Sequence, residues 1–243
     1  MIRSLMPRCV AVCTVVLLSS AALPVRADAK GDLDAAVKKL SDAPNYAWTS
    51  KTEGGFGGGT AEGKAEKDGF IVVSMNLFNN EVQVVKKGEK GAVKMEDGWK
   101  SGEELAADQG QEGQPNRGRF VAMMLRNYRA PAPMAAELIT KLKDVKQSGE
   151  AYEADLTEEG AKALLSFRGR PGGQNQGPQV NDAKGTAKFW VKDGVVSKIE
   201  HHLTGSINFN GQDRDIDRTT TIEIKDVGSA KVEVPEEAKK KLG

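Results

Sequence analysis

The 243-residue sequence is poor in the residues that most readily carry chemistry: it has two cysteines, two histidines and an aromatic content of only 5%. Cys9 and Cys13 both fall within an N-terminal apolar run, so the chain beyond it has no thiol. That excludes disulfide staples, a cysteine nucleophile and thiolate metal sites from the remainder. The histidines are the adjacent pair His201 and His202. Neighbours on a strand point to opposite faces, so the two cannot jointly grip one metal, and a zinc site would need acids from elsewhere. No sign of charge predominates either: Lys+Arg 35 against Asp+Glu 34 gives a net charge of +1, which supplies no overall field to draw nucleic acid or anionic lipid. Neither a G-x-S-x-G elbow nor a Ser-x-x-Lys motif supports serine catalysis.

What is present begins with a leader. Arg3 and Arg8 precede an apolar run from Cys9 to Leu23, and Pro24-Val25-Arg26-Ala27 follows with small side chains at the cleavage positions. This pattern predicts a signal peptide over 1–27, cut after Ala27, with Ala29 as the next choice. The run of about fifteen residues is shorter than the roughly twenty of a permanent span. Both cysteines stand at the start of that run instead of at its cleavage end, so no lipobox is formed. Residues 28–243 are therefore expected to be one periplasmic or secreted domain with no transmembrane anchor after cleavage. It is long enough to bury a core without covalent support.

Along that domain the periodicity changes several times. Leu33, Ala36, Val37 and Leu40 form one helical stripe. Alternation over Tyr46–Glu53, Thr60–Lys67, Phe70–Phe78, Glu81–Lys87 and Ala92–Met95 predicts five antiparallel strands stacked in chain order, with Asp68-Gly69 as a hairpin turn. Segment 103–119, rich in Gln, Gly, Asp and Glu, reads as a flexible loop. Helical spacing returns at Phe120–Tyr128 and, after Pro131-Ala132-Pro133, at Met134–Leu142. Val145–Asp155 reads as one strand, and Thr157 caps a helix with Glu158 and Glu159 in its first turn. A second flexible loop is expected over 168–184. A strand over Thr186–Lys192 and then two long strands follow, divided at Asp193-Gly194 and Asn210-Gly211, with Gly205 marking a bulge or bend. The alternation places Val195, Ile199, His201, Leu203, Ile207 and Phe209 on one strand face. A short helix from Pro235 closes the chain.

Each cluster that could carry chemistry also has a plainer reading. His201 lies in an apolar row, where a hydrogen-bonded core histidine is the ordinary occupant, and His202 reads as solvated. Asp213, Asp215 and Asp217 resemble the start of a calcium loop, but Arg218 takes the place of the turn glycine and Ile224 that of the twelfth-position acid, which favours a solvated strand face. The glycines at 54–59 fit no G-x-G-x-x-G register and join two strands. Arg117-Gly118-Arg119 and Arg168-Gly169-Arg170 lack the clustered aromatics of a nucleic-acid surface. Neither a catalytic set nor a metal or cofactor site is assigned.

The order of elements is more informative than any motif. An exported amphipathic helix, a Tyr46-Ala47-Trp48-Thr49 strand, stacked hairpins, mid-chain helices and long strands ending in Val232-Glu233-Val234-Pro235-Glu236 together resemble the half-barrel of LolA-like lipoprotein carriers and LppX-type envelope proteins. Tyr46-Ala47-Trp48 and Gly228 to Pro235 are the local echoes. The resemblance implies an α+β fold in which a curved, mostly antiparallel sheet carries helices packed on one face. It also implies a non-enzymatic carrier or sensor whose ligand is a lipid or lipoprotein. The expected apolar lining is Tyr46, Trp48, Phe189, Ile199, Leu203 and Phe209 from the strands, with Met123, Met124 and Leu138 from the helices. Two other readings stay open: an envelope interaction module acting through its loops, and a carboxylate-dependent hydrolase of wall polymers.

Overall fold

The computed structural model describes residues 28–55, 58–77, 80–108, 116–166, 179–209 and 212–243. The leader expected over 1–27 therefore lies outside the described residues, as do the centres of both expected loops.

The strands are β1 (Asn45–Gly54), β2 (Gly59–Glu66), β3 (Phe70–Leu77), β4 (Asn80–Lys87), β5 (Lys90–Met95), β6 (Gly98–Ser101), β7 (Lys146–Ser148), β8 (Ala151–Asp155), β9 (Gln179–Lys192), β10 (Val195–Phe209) and β11 (Gln212–Lys225). They form one open, curved antiparallel sheet in the order β6-β5-β4-β3-β2-β1-β11-β10-β9-β8-β7. Two meanders thus meet where β1 pairs with β11, Trp48 opposite Ile224 and Thr52 opposite Thr220. The expected stack in chain order is present and extends to a sixth strand.

The helices are α1 (Ala29–Asp42), α2 (Gly102–Ala107), α3 (Arg117–Asn127), α4 (Pro131–Ile139), α5 (Glu158–Leu165) and α6 (Glu236–Leu242). Those linking the two meanders lie across the concave face, and α1 packs on α4 and β10. The stripe read from the sequence is what α1 buries: Leu33, Ala36, Val37 and Leu40. One cluster joins these helices to the inner residues of the sheet, including Val73, Val84, Val93, Phe189 and Ile199. The α+β half-barrel is therefore the observed architecture. Only α6, among the described helices, packs on the convex face, where Ala238 and Leu242 cover Val85, Ala92 and Trp99.

Several boundaries differ from the sequence reading. The segment 103–119 is helical at both ends: α2 opens on a capping box, Ser101 accepting from the Glu104 N–H while the Glu104 side chain accepts from the Ser101 N–H, and Asn116 caps α3. Ser-x-x-Glu ahead of Leu105 carried that signal, and the polar composition around it masked it. Likewise β9 begins at Gln179, inside the expected second loop, because long β10 offers Ile207 and Asn208 as pairing partners. Val145–Asp155 is a hairpin of two strands, turned at Gly149 with φ +62°. In β10 the ladder slips between Val196 and Lys198, so Val196 takes the inward position that simple alternation gives to Val195. The slip near Gly205 is real as well, with the extra residues on β9. A Cβ on Gly205 would stand 2.9 Å from Leu165 Cδ1, so glycine lets α5 approach the sheet.

One buried cation ties the layers together. Lys86 is 2% exposed, and its ammonium donates at 3.0 Å to each of the Arg126 and Tyr128 carbonyls at the C-terminal end of α3. The Arg129 guanidinium donates to the same two carbonyls, at 3.0 and 3.2 Å, so two cations share the acceptors left by the helix end. Burial, and then the nearby Arg129 charge, lowers the Lys86 pKa.

Candidate functional site

The concave face divides into a closed half and an open half. In the closed half Tyr46 and Trp48 of β1 stand side by side, ring centroids 5.7 Å apart and planes at 46°. The Trp48 ring lies over Gly63 of β2 so closely that a Cβ there would come within 2.3 Å of it. The Tyr46 hydroxyl accepts from the Ala132 N–H at the start of α4, at 3.2 Å, and burial pushes its pKa up to about 12. Burial raises the Tyr128 hydroxyl too. These groups fix helices to sheet and are neutral at any physiological pH.

Farther along the same strands the wall is only half covered. Val82, Met75, Ala61 and Ser50 are register partners on β4, β3, β2 and β1, each half-buried, and Met95 of β5 is half-buried beside them. The packed helices stand at the two ends of this row, α3 on β5 and α5 on β9 and β10. This half-covered row, the trough, carries flexible thioethers beside small side chains. At the β4–β5 end it meets a cleft of about 800 Å³, lined by Val82, Val93, Met95 and Val121 together with polar and charged residues of both signs, among them Glu81, Lys94, Glu96, Asp97 and Arg117. Arg117, Phe120, Val121 and Met124 recur at i, i+3, i+4 and i+7 on α3, and Phe120 remains 41% exposed.

The other end of the trough is polar. Thr52 and Thr220, opposite each other on β1 and β11, join their hydroxyls at 3.1 Å. His201 is the β10 partner of Thr220, and Arg218 lies one inward position farther along β11. Arg218 Nη2 donates to the Leu164 carbonyl of α5 at 3.3 Å, but its Nε is buried with no hydrogen-bond partner. His201 Nδ1 is buried and unpartnered too, so the hydrogen-bonded core histidine expected from the sequence is not what forms.

Burial first, then the charge of Arg218 and a smaller contribution from His202, lower the His201 pKa from 6.5 to about 4. Arg218 from β11 and His202 from its own strand are thus the titratable groups that bear on it. His201 is therefore neutral when folded at pH 7. Unfolded chains take up its proton below pH 6.5 and folded ones only near 4, so stability is full above pH 6.5, falls between those values and levels off below. The loss expected from this residue is about 3 kcal/mol at most. Urea unfolding at pH 7 and at pH 4.5 should show it, and His201→Gln should remove much of the difference; equal acid sensitivity in both chains would assign the effect elsewhere.

His202 points to the convex face, where its Nε2 is hydrogen-bonded to Asp217 at 2.8 Å instead of merely solvated. Asp213 accepts from Asn208 at 2.7 Å, and Asp213, Asp215 and Asp217 are all exposed. Among the described residues no three His, Cys, Asp or Glu side chains are grouped to hold a metal.

The residues expected to line a ligand space are assembled in one place, but mostly as its inner packing. Trp48, Leu138, Phe189, Ile199 and Leu203 are each at most 2% exposed. Tyr46 borders a second cleft, of about 580 Å³, with Lys86 and Tyr128. Met123 and Met124 are half-buried on α3, Met124 against the core. Phe209 ends β10 opposite Gln212. The trough residues Ala61, Met75, Val82, Met95 and Arg218 were not singled out from sequence, although alternation already put Met75 on the face of Val73.

No helix among the described residues is long and apolar enough to cross a membrane. No protein-family model matches the chain, and no curated protein does. Among solved structures it is similar to the Mycobacterium tuberculosis lipoprotein LppX, at 10% identity and a TM-score of 0.48, over 85% of this chain and 98% of that one. It is also similar to LprF from Mycobacterium bovis, at 9% identity and a TM-score of 0.41, over 86% of this chain and 97% of that one. A DUF1329 family protein from Desulfovibrio piger aligns over 86% of this chain and 94% of that one, at 9% identity and a TM-score of 0.32.

Proposed function

We propose that this chain is an exported, non-enzymatic binding protein of the cell envelope, and that it carries or senses an apolar or acylated ligand laid across the concave face of the sheet. The observation that carries the reading is the half-covered trough of Ala61, Met75, Val82 and Met95 beside a closed, well-packed core. A filled core alone would make a stable module with no room for a guest. Here the packing stops short along one row, and the row is apolar, flexible at its methionines and continuous with an open cleft. From β10 to β4 it crosses five strand spacings of about 4.8 Å, or roughly 24 Å along the sheet, the reach of a long acyl chain. Export rests on the leader pattern of residues 1–27.

The test is direct. Mature protein purified from its native host and extracted with organic solvent should release a lipid detectable by mass spectrometry, and the stripped protein should bind N-phenyl-1-naphthylamine saturably. Extracts indistinguishable from a control protein, together with linear, unsaturable dye fluorescence, would rule the reading out.

A further inference from the structure

The polar end of the trough is unlike the rest of the concave wall. Arg218 and His201 sit among Leu203, Ile199 and Ile216, and each keeps one buried nitrogen without a hydrogen-bond partner. An unmet donor in such surroundings is costly and calls for an explanation. Arg218 gives one bond to the Leu164 carbonyl, which uses part of its five-donor fork. His201 is neutral and carries one ring N–H, and the paired hydroxyls of Thr52 and Thr220 can each rotate to donate. No described carboxylate is bonded to any of these four side chains, so the site offers donors and one fixed positive charge with no internal anion to neutralise it. The β1 backbone comes close to β11 beside Arg218, at a position only glycine can hold. Gly54 pairs with Arg218 across the ladder, and a Cβ at Gly54 would meet the Asp217 carbonyl at 2.1 Å.

We propose that Arg218 and His201, with the Thr52–Thr220 hydroxyl pair, form a receptor for the carboxylate of a long-chain fatty acid whose hydrocarbon tail lies in the trough. The assignment rests on the trough reading above and adds the head group to it. One guanidinium matches one negative charge, and a planar carboxylate suits the fork that Arg218 presents. A second charge on the ligand would find no second cation among these four side chains. The tail then runs from β10 toward β4, over the small side chains of Ser50 and Ala61 to the methionines.

Displacement of N-phenyl-1-naphthylamine, a neutral dye, by hexadecanoate and by hexadecan-1-ol tests the assignment on the mature chain. Hexadecanoate should bind about ten- to a hundredfold more tightly than the alcohol, the worth of one charge-assisted contact out of water. Arg218→Met, which keeps the apolar stem, should weaken the acid to the level of the alcohol and leave the alcohol unchanged; Arg218→Lys should retain part of the preference. Should Arg218→Met fold poorly, the His201 ring nitrogen resonances of the unmodified chain give a second readout, moving with hexadecanoate and not with hexadecan-1-ol. Equal affinity for acid and alcohol would overturn the receptor and leave the trough standing. Acetate competing as strongly as hexadecanoate would replace the fatty acid by a small soluble carboxylate. Displacement by neither lipid would overturn trough and receptor together.

Discussion

Ala61→Phe is expected to weaken binding of an acyl ligand at least tenfold while changing folding stability by less than about 1 kcal/mol. Ala61 lies mid-way along the trough: it stands between Ser50 on β1 and Met75 on β3, half-buried, and contributes only a methyl group to the floor. A benzyl group there occupies the space that a hydrocarbon chain would cross. Because the residue lies at the edge of the main cluster, the ring can lean toward the open side without forcing its neighbours off their rotamers. The measurement is a dye-displacement isotherm beside a urea titration on the same preparation. Undiminished binding with the ring in place would remove Ala61 from the path of the ligand and, with it, the course of the tail over β2.

Trp48→Ala is the opposite case. Here a loss of about 3–5 kcal/mol of stability is expected, a large share of the 5–15 kcal/mol that holds a typical domain together. The indole is 2% exposed, tilts against Tyr46, and fills the place where Gly63 contributes no side chain. Gly63 has nothing with which to relax into the vacated volume, so the site should keep much of its cavity. The urea midpoint should fall sharply, and binding per folded molecule should be retained. The reverse pattern, intact stability with binding lost, would return Trp48 to the ligand lining that its sequence position suggests. The two substitutions therefore separate packing from lining on one face of the sheet, where Ala61 is the β2 partner of Ser50, the next inward residue after Trp48.

That separation marks the limit of what could be read before folding. Alternation along β1 through β5, the Asp-Gly turns and the cap of Thr157 depend on neighbours within a few residues, so they were legible. So was the order of elements behind the half-barrel. The β10–β11 register also follows by counting outward from the short connection after Phe209, which sets His201 opposite Thr220. Legibility failed where a local exception interrupted a regular pattern. The slip at Ser197 moved Val196 inward, and a capping box lay inside a segment whose composition looked disordered.

By itself the sequence determined the alternating faces, the near-neutral and cysteine-free character of residues 28–243, and the helix stripes that would seek a sheet. Tertiary structure decided which part of the inward face is core and which is trough. Val73 and Met75 follow the same alternation on the same strand, yet one is sealed and the other half-open. The difference comes from where the helices settle across the sheet, a long-range outcome that no periodicity encodes. The meeting of β1 with β11 is of the same kind. It joins residues some 170 positions apart, brings Thr52 to Thr220, and completes the polar cluster with Arg218 and His201. Side-chain chemistry supplied the donors, and only the closure of the two meanders placed them together.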